Sequence, residues 1–376
     1  MKSAQVINLW FTVALFVLVY LASCKGKDEV PALSIPSTYD STNFKANVST
    51  QVAVLAQLKD LVDEVKKGRK GDALVESTLK TLYEAGNPNL PTVGTSYLSQ
   101  KINPVWLNEI AKASSGTYVP GPPMGEGGVF GTGSSAYLFD ENGLEIEQLI
   151  EKGQFGSVLY KHANDLLNGT ITSQTVDQVL AIIGCNPTFP NTSTNKAAQP
   201  DKFFAVYAAR RDKNDGNGLY SQLKAQFIKL QAAVNTGDKY VKDRNDAVAS
   251  IRLILEKINA ATIVNYCQSV TSTMSKTTTT DNDKSIALHA LGECIGFTHG
   301  YKTILNKKIT DAQIDEILVL LNAPANGIPT CYKYVTDPGT ELPKLNTLIN
   351  MIKGIYGFTD QEISDFSKNW ITEQGR

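Results

Sequence analysis

Histidine is scarce in this chain: His162, His289 and His299 are the only three in 376 residues. Any site that relies on imidazole therefore has few places to be. An excess of one charge is missing too. Lys and Arg total 36 against 37 Asp and Glu, for a net charge of −1 with the two signs interspersed. No basic face marks a nucleic-acid binder, so no nucleic acid is expected as a partner. The five cysteines include no CxxC or CxxxC pair, which excludes a zinc knuckle or thioredoxin-like motif. Alternating strand-type runs are essentially lacking, and there is no HExxH. Six glycines crowd positions 121 to 133, but no strand pattern precedes them and no Gly-Lys-Ser/Thr ends them, so a phosphate loop is not expected. A flexible surface loop with room for a gating role is. Beyond residue 24 no apolar run approaches the ~20 residues of a membrane span.

What is present begins at the N-terminus. Lys2 supplies a positive charge, Val6 to Leu21 is almost uninterrupted apolar sequence, and Ala22 and Ser23 precede Cys24. Basic, apolar, then small is the order of a secretory signal peptide. The closing cysteine resembles the bacterial lipoprotein form, in which Cys24 is diacylated and becomes the first mature residue. Two or three acyl chains anchor firmly where one alone binds only marginally. The expected division is a signal peptide at 1–23, a flexible tether at 24–45 and an all-α domain at 46–376, with halves at 46–190 and 199–376. The expected address is the cell envelope, as an outer-membrane lipoprotein facing the periplasm or the surface. The triplet Lys27-Asp28-Glu29 resembles a surface-export signal. In an oxidising envelope the remaining cysteines permit two disulfides. Cys267 and Cys294 lie at similar distances either side of the polar turn 276–283, so antiparallel helices would set their sulfurs level. That favours 267–294 with 185–331, against the alternative that Cys185, Cys267, Cys294 and Cys331 are buried free thiols.

After the tether, apolar spacing is helical almost everywhere. Leu219, Leu223, Phe227, Leu230 and Val234 trace one face of a helix. Val248, Ile251, Leu255, Ile258 and Thr262 do so along a segment predicted to run from 241 to 274. Ile146, Leu149, Ile150, Tyr160, Ala163 and Leu167 mark another. Thr310 with Gln313, and Thr359 with Glu362, have capping-box spacing. The expectation is an all-α multi-helix bundle of about ten helices, broken at 114–133, 186–199 and 323–343. Asn47, Asn168 and Asn191 begin glycosylation sequons, incidental in a bacterial lipoprotein.

The constellation with chemical content is Ser285 to Gly300. His289 and Glu293 are four apart, which on a helix sets them on one face about 5–6 Å from each other. Gly292, Gly296 and Gly300 form a stripe beside them. Each interior glycine costs about 1 kcal/mol against alanine, so the stripe suggests close approach by a neighbouring helix backbone or a flat ligand. A His and a carboxylate there could ligate a metal, with Glu293 as second ligand or orienting the imidazole; the plainer reading is a buried hydrogen bond that fixes helix register. His299, about 15 Å further along the axis, belongs to no shared site, and His162 is expected at a surface or C-terminal turn. Glu145 and Gln148, three apart, are predicted to face the His289 helix and complete a polar cluster. Glu147 and Glu151 are expected in solvent, and Lys152 beside Gln148 or Glu145.

Two blocks, Tyr137 to Tyr160 and Leu288 to Phe297, resemble an uncharacterised family of envelope lipoproteins near the imelysin-like iron-regulated proteins. The resemblance implies a helical fold of two packed bundles and a role in iron or haem acquisition. Imelysins carry a Gly-x-His-x-x-Glu motif proposed to bind metal; here the His–Glu spacing is one residue longer and Ala287 replaces the leading glycine. The expected function is a membrane-anchored binding or accessory protein, partnered with an outer-membrane transporter and more plausibly non-enzymatic. The rival readings are a metal-dependent hydrolase and a glycan- or protein-binding surface component in which the His–Glu pair is only architecture.

Overall fold

A hairpin of two short strands is the exception in an otherwise helical chain. The structure, a computed structural model, describes residues 30–192 and 200–376. Cys24 and its hydrophobic run lie outside the described residues, as does the second half of the break at 186–199. In order, the main elements are α1 (Ser49–Lys66), α2 (Glu76–Glu84), α3 (Leu107–Ala113), β1 (Gly128–Phe130), β2 (Tyr137–Phe139), α4 (Ile146–Gln154), α5 (Lys161–Asn168), α6 (Ser173–Ile182), α7 (Phe203–Arg210), α8 (Leu219–Asn235), α9 (Val241–Met274), α10 (Asp281–Gly300), α11 (Asp311–Leu320), α12 (Pro338–Tyr356) and α13 (Asp360–Asp365). Short helical turns fill the gaps. The all-α expectation holds, with many more helical pieces than about ten.

α10 is the central element. Every residue from Ala290 to Gly300 is buried, as expected of a helix covered on all sides. α9, at about 50 Å the longest, packs antiparallel along it. α4 covers the glycine face and continues through a wider π-type turn, Phe155–Tyr160, into α5. α11 also packs on α10, while α8 and α12 pack against α9. One continuous apolar core includes residues from Tyr39 to Phe366. At the N-terminal end, the Tyr39 hydroxyl donates to Asp177 Oδ1 at 2.5 Å. Gln231 closes a two-way amide pair with the Asp40 backbone at 2.8 Å each way.

The capping boxes at Thr310 and Thr359 are formed. Two more occur at Thr172 and Thr280, where threonine or aspartate replaces Glu/Gln as the reciprocal partner.

The hairpin was not expected. It pairs Gly128 with Phe139, Val129 with Leu138 and Phe130 with Tyr137 in antiparallel register. Three residues per strand are too few for an alternating pattern to register. The first residue of β1 must be glycine for the strand to pack. Gly128 has φ +153, and a Cβ there would lie 2.1 Å from the Gly116 carbonyl carbon, so only glycine lets the two backbones meet. Ser285 Oγ, 2.9 Å from the Phe130 carbonyl and 2.8 Å from that of Ser135, pins the hairpin to the start of α10.

Other expectations need correction. The break at 323–343 ends early, because Pro338 begins α12 and Pro343 lies inside it. Proline is favoured at the first helical position, where its missing N–H has no intrahelical partner. Among the described residues the four cysteines are buried free thiols. Cys267 and Cys294 do meet across α9 and α10, Sγ to Sγ 3.7 Å. The 185–331 pairing has no basis, since Cys185 sits against Asp201 and Cys331 against Asp140 and the Asn322 carbonyl.

Candidate functional site

The glycine stripe of α10 is filled by protein. A Cβ on Gly296 would lie 2.4 Å from the Gln148 carbonyl oxygen, and one on Gly300 would lie 2.4 Å from that of Gly153. Gly156, in the π-type turn, returns the contact at 2.4 Å from the Gly300 carbonyl carbon. Gly292 is looser, its nearest neighbour being the Glu145 Cβ at 3.1 Å. Of the two occupants the spacing allowed, the backbone of α4 is the one present, and a flat ligand has no room between the helices.

That close approach carries the front of α4 to His289. Glu145, the residue preceding the first turn of α4, is fully buried. Its Oε2 accepts from His289 Nδ1 at 2.6 Å, and its Oε1 accepts from Arg69 Nη2 at 2.9 Å. Arg69 also grips Glu147, through Nη2 at 2.8 Å and through Nε. The ring of Tyr137, held by β2, stacks on the imidazole at 4.0 Å between centroids and 5° between planes. The Arg69 guanidinium lies 4.7 Å from the same tyrosine ring. Burial alone would push the imidazole down, but the charge and hydrogen bond of Glu145 outweigh it and raise it above 6.5. Burial would likewise raise Glu145, yet His289 and Arg69 bring it below 4.5. Glu147, buried and beside the Glu145 charge, is pushed up to about 7.

Glu293 continues the network inward. Its Oε2 is 3.9 Å from His289 Nε2 and its Oε1 is 3.5 Å from Lys152 Nζ. Lys152 also meets Glu151 at 2.9 Å, and Glu151 meets Lys66 at 3.0 Å. Despite burial, those two lysines bring Glu151 down to about 2. Glu147 and Glu151 are therefore buried ion-pair members, contrary to expectation, and Lys152 pairs with Glu151 and Glu293 instead of Gln148 or Glu145. Gln148 lies against the stripe but does not bond His289. Its amide nitrogen donates to Glu147 at 3.3 Å, and its Oε1 is buried without a partner among the described residues.

Arg69 is the member that sequence reading missed. The signal was the basic run Lys66 to Lys70, interrupted by a glycine at 68. A Cβ on that glycine would sit 2.7 Å from a methyl of Leu138, so Gly68 packs against β2 and carries Arg69 inward while Lys67 and Lys70 stay exposed.

With His289 protonated and Glu147 ionised the cluster is charge-balanced: Lys66, Arg69, Lys152 and His289 against Glu145, Glu147, Glu151 and Glu293. Such a network has no surplus of negative charge for a cation. Glu145 is occupied on both oxygens, and Lys152 stands beside Glu293 where an ion would bind. Among the described residues no three His, Cys, Asp or Glu side chains are grouped to hold a metal. The residues do not fit an iron or zinc ion, and the filled stripe does not fit haem. Among the described residues no hydroxyl or thiol nucleophile is hydrogen-bonded to His289 Nε2.

The remaining histidines are elsewhere. His299 is buried against Trp106, its Nδ1 2.8 Å from the Tyr97 hydroxyl, and burial with Lys101 and Lys302 nearby pushes it down to about 3. His162, expected at a surface turn, is half-buried in α5 with Nε2 3.1 Å from the Gln51 amide.

Residues 188–359 match the family model described as a domain of unknown function (DUF4856). No curated protein and no solved structure matches the chain. The match supports an uncharacterised domain family. It contains His289, Glu293 and the glycine stripe, and it leaves out Arg69, Glu145 and Tyr137.

Proposed function

We propose that this protein is a lipid-tethered component of the bacterial cell envelope whose helical domain acts by binding, without catalysis of its own. The tether reading rests on the hydrophobic run that ends at Cys24. It gains support from the N-terminal end of the fold, where the chain is tied down from Tyr39 onward. The expected tether of 24–45 is thereby cut short at its C-terminal end, where a helical turn also runs from Phe44 to Asn47; fully extended, residues 24–38 would reach roughly 50 Å, enough to hold the domain clear of a bilayer surface. Among the described residues no helix is long and apolar enough to cross a membrane.

The observation that carries the non-catalytic part is the closed arrangement around His289. Its carboxylate partner is saturated, its neighbouring groove is filled by α4, and no nucleophile or third metal donor stands by. The cluster reads as a register lock between α4, α10 and the Arg69 segment. Under this proposal the iron or haem role stands on the resemblance alone, and it would have to use another surface. A partner in the outer membrane, such as a transporter, remains part of the proposal.

Two measurements test it together. Expressed with its own leader in a Gram-negative host, the protein is expected in the membrane fraction with an acylated N-terminal cysteine, and Cys24→Ala is expected to abolish the acylation. An unacylated wild-type chain would remove the tether. Separately, the purified protein is expected to retain no stoichiometric iron, zinc or haem. Retention that His289→Ala abolishes would overturn the reading of the cluster as a lock.

A further inference from the structure

Away from the His289 cluster one arginine is buried, and unlike the cations of that cluster it has no counter-ion among the described residues. Arg211, at the C-terminal end of α7, is 6% exposed. Its Nη1 donates to the Phe366 carbonyl at 2.6 Å, while its Nε is buried without a partner. Among the described residues no carboxylate lies within ion-pair distance of it. The next residue cannot serve, because both oxygens of Asp212 accept backbone N–H groups, from Asn214 and Ser221. Glu293, the carboxylate whose charge reaches Arg211, is held by Lys152. Desolvation accordingly pushes the guanidinium down to about 10. A buried charge left without a partner is strongly destabilising.

Arg211 lines an open cavity of about 360 Å³ between the 211–222 segment and α13. That is at the small end of the range for ligand sites. Leu219 and Phe366, both buried, line it alongside the guanidinium. The more exposed lining residues carry the opposite charge. Asp365 is paired with Lys213, but Asp215 and Glu362 have no ion-pair partner among the described residues. Asp215 accepts only the Asn217 N–H, and Glu362 only the capping contacts of Thr359. The cavity thus sets a cation among its most buried lining residues and two unpaired carboxylates among its more exposed ones.

We propose that this cavity binds a small zwitterion, a free α-amino acid or a short peptide, with its carboxylate on Arg211 and its ammonium against Asp215 and Glu362. A simple anion would satisfy Arg211 but meet those two carboxylates, and a simple cation would do the reverse. A sugar acid would leave the carboxylates with hydroxyls alone. The site lies far in sequence from the His289 lock, and the proposal does not depend on the lipid tether.

The test is calorimetric titration of the purified protein at neutral pH with glycine, glutamate and dialanine, with glucuronate, inorganic phosphate and glucose as comparators. At least one of the amino acids or dialanine is expected to bind in the micromolar to low millimolar range, with the comparators at least tenfold weaker. The double variant Asp215→Asn, Glu362→Gln alters only surface carboxylates and is expected to weaken binding at least tenfold. Arg211→Met is expected to abolish it; should that variant fail to fold, the double variant decides. The proposal is overturned if neither amino acids nor dialanine bind up to 10 mM, roughly the weak limit for small ligands. It is equally overturned if glucuronate or phosphate binds as tightly, or if the folded variants bind unchanged.

Discussion

Substituting alanine at the three stripe glycines separates a helix seam from a ligand groove. In an ordinary exposed helix, glycine to alanine gains about 1 kcal/mol. At Gly296 the new methyl would lie 2.4 Å from the Gln148 carbonyl oxygen and 3.0 Å from Lys152 Cβ, where ordinary contact needs 3.4–4 Å. The obstacle is backbone, so relief requires α4 and α10 to move apart by about 1 Å. Forced expansion of a packed interior typically costs about 1–3 kcal/mol, and here it also stretches the Glu145–His289 bond at the end of the same seam. Gly296→Ala is therefore expected to lose about 1–2 kcal/mol net, and Gly300→Ala about the same. Gly292→Ala meets only the Glu145 and Gln148 side chains, with the Glu145 carbonyl no nearer than 3.5 Å, and should fall within about 0.5 kcal/mol of the parent. Urea unfolding followed by far-UV circular dichroism, with linear extrapolation, reads all three. The reasoning is refuted if Gly296→Ala is as stable as the parent or gains the usual helix increment. A groove built for a ligand would instead show unchanged stability at all three positions.

Two further outcomes follow from buried ionisable groups. Because Glu145 raises the folded His289 above 6.5 and is itself brought below 4.5, each partner has its own window. The histidine contribution is complete below pH 6.5 and fades as pH rises through the folded value. The carboxylate contribution is complete above pH 4.5 and fades as pH falls through the folded value. The stability difference between the parent and His289→Gln should therefore be largest at pH 4.5–6.5, about 1–3 kcal/mol for a charged hydrogen bond, and shrink above; a difference that does not vary with pH speaks against the ion pair. For Cys267 and Cys294, 3.7 Å apart, mild oxidation by a disulfide reagent is expected to remove two of the four thiols in a denatured-state thiol titration. Peptide mapping should then recover 267 linked to 294, with Cys185 and Cys331 free; any other pairing would contradict the packing of α9 on α10.

Long helices were legible wherever one face repeats and the ends carry caps. The segment from 241 to 274 was read to its termini because its apolar positions persist and polar turns bound it. The hairpin was illegible for the opposite reason. In its three-residue strands Leu138 and Phe139 are both buried and Val129 and Phe130 both half-buried, so no alternation shows, and the pairing depends on Gly128 and on Ser285, 146 or more residues away from β2 in the chain. The breaks at proline were overread because proline ends a helix from inside but begins one at the first turn, and Pro338 takes the second role.

For the site, the sequence showed which residues share a face and not what stands opposite them. His289, Glu293 and the glycines are periodic within one helix, so their grouping could be read. Glu147 and Glu151 were assigned to solvent because an isolated α4 would expose them. That assignment fails because Arg69, Lys66 and Lys152 arrive to neutralise them. A buried carboxylate is tolerated only with such partners, and partners brought from 78 residues away leave no local trace. The same logic distinguishes the two buried cationic regions. Around His289 each charge has been answered by another part of the chain, so the cluster stabilises one arrangement of helices and asks nothing of the surroundings. Arg211 has been answered by a single carbonyl, and its missing counter-ion is the place where this fold is open to something outside itself.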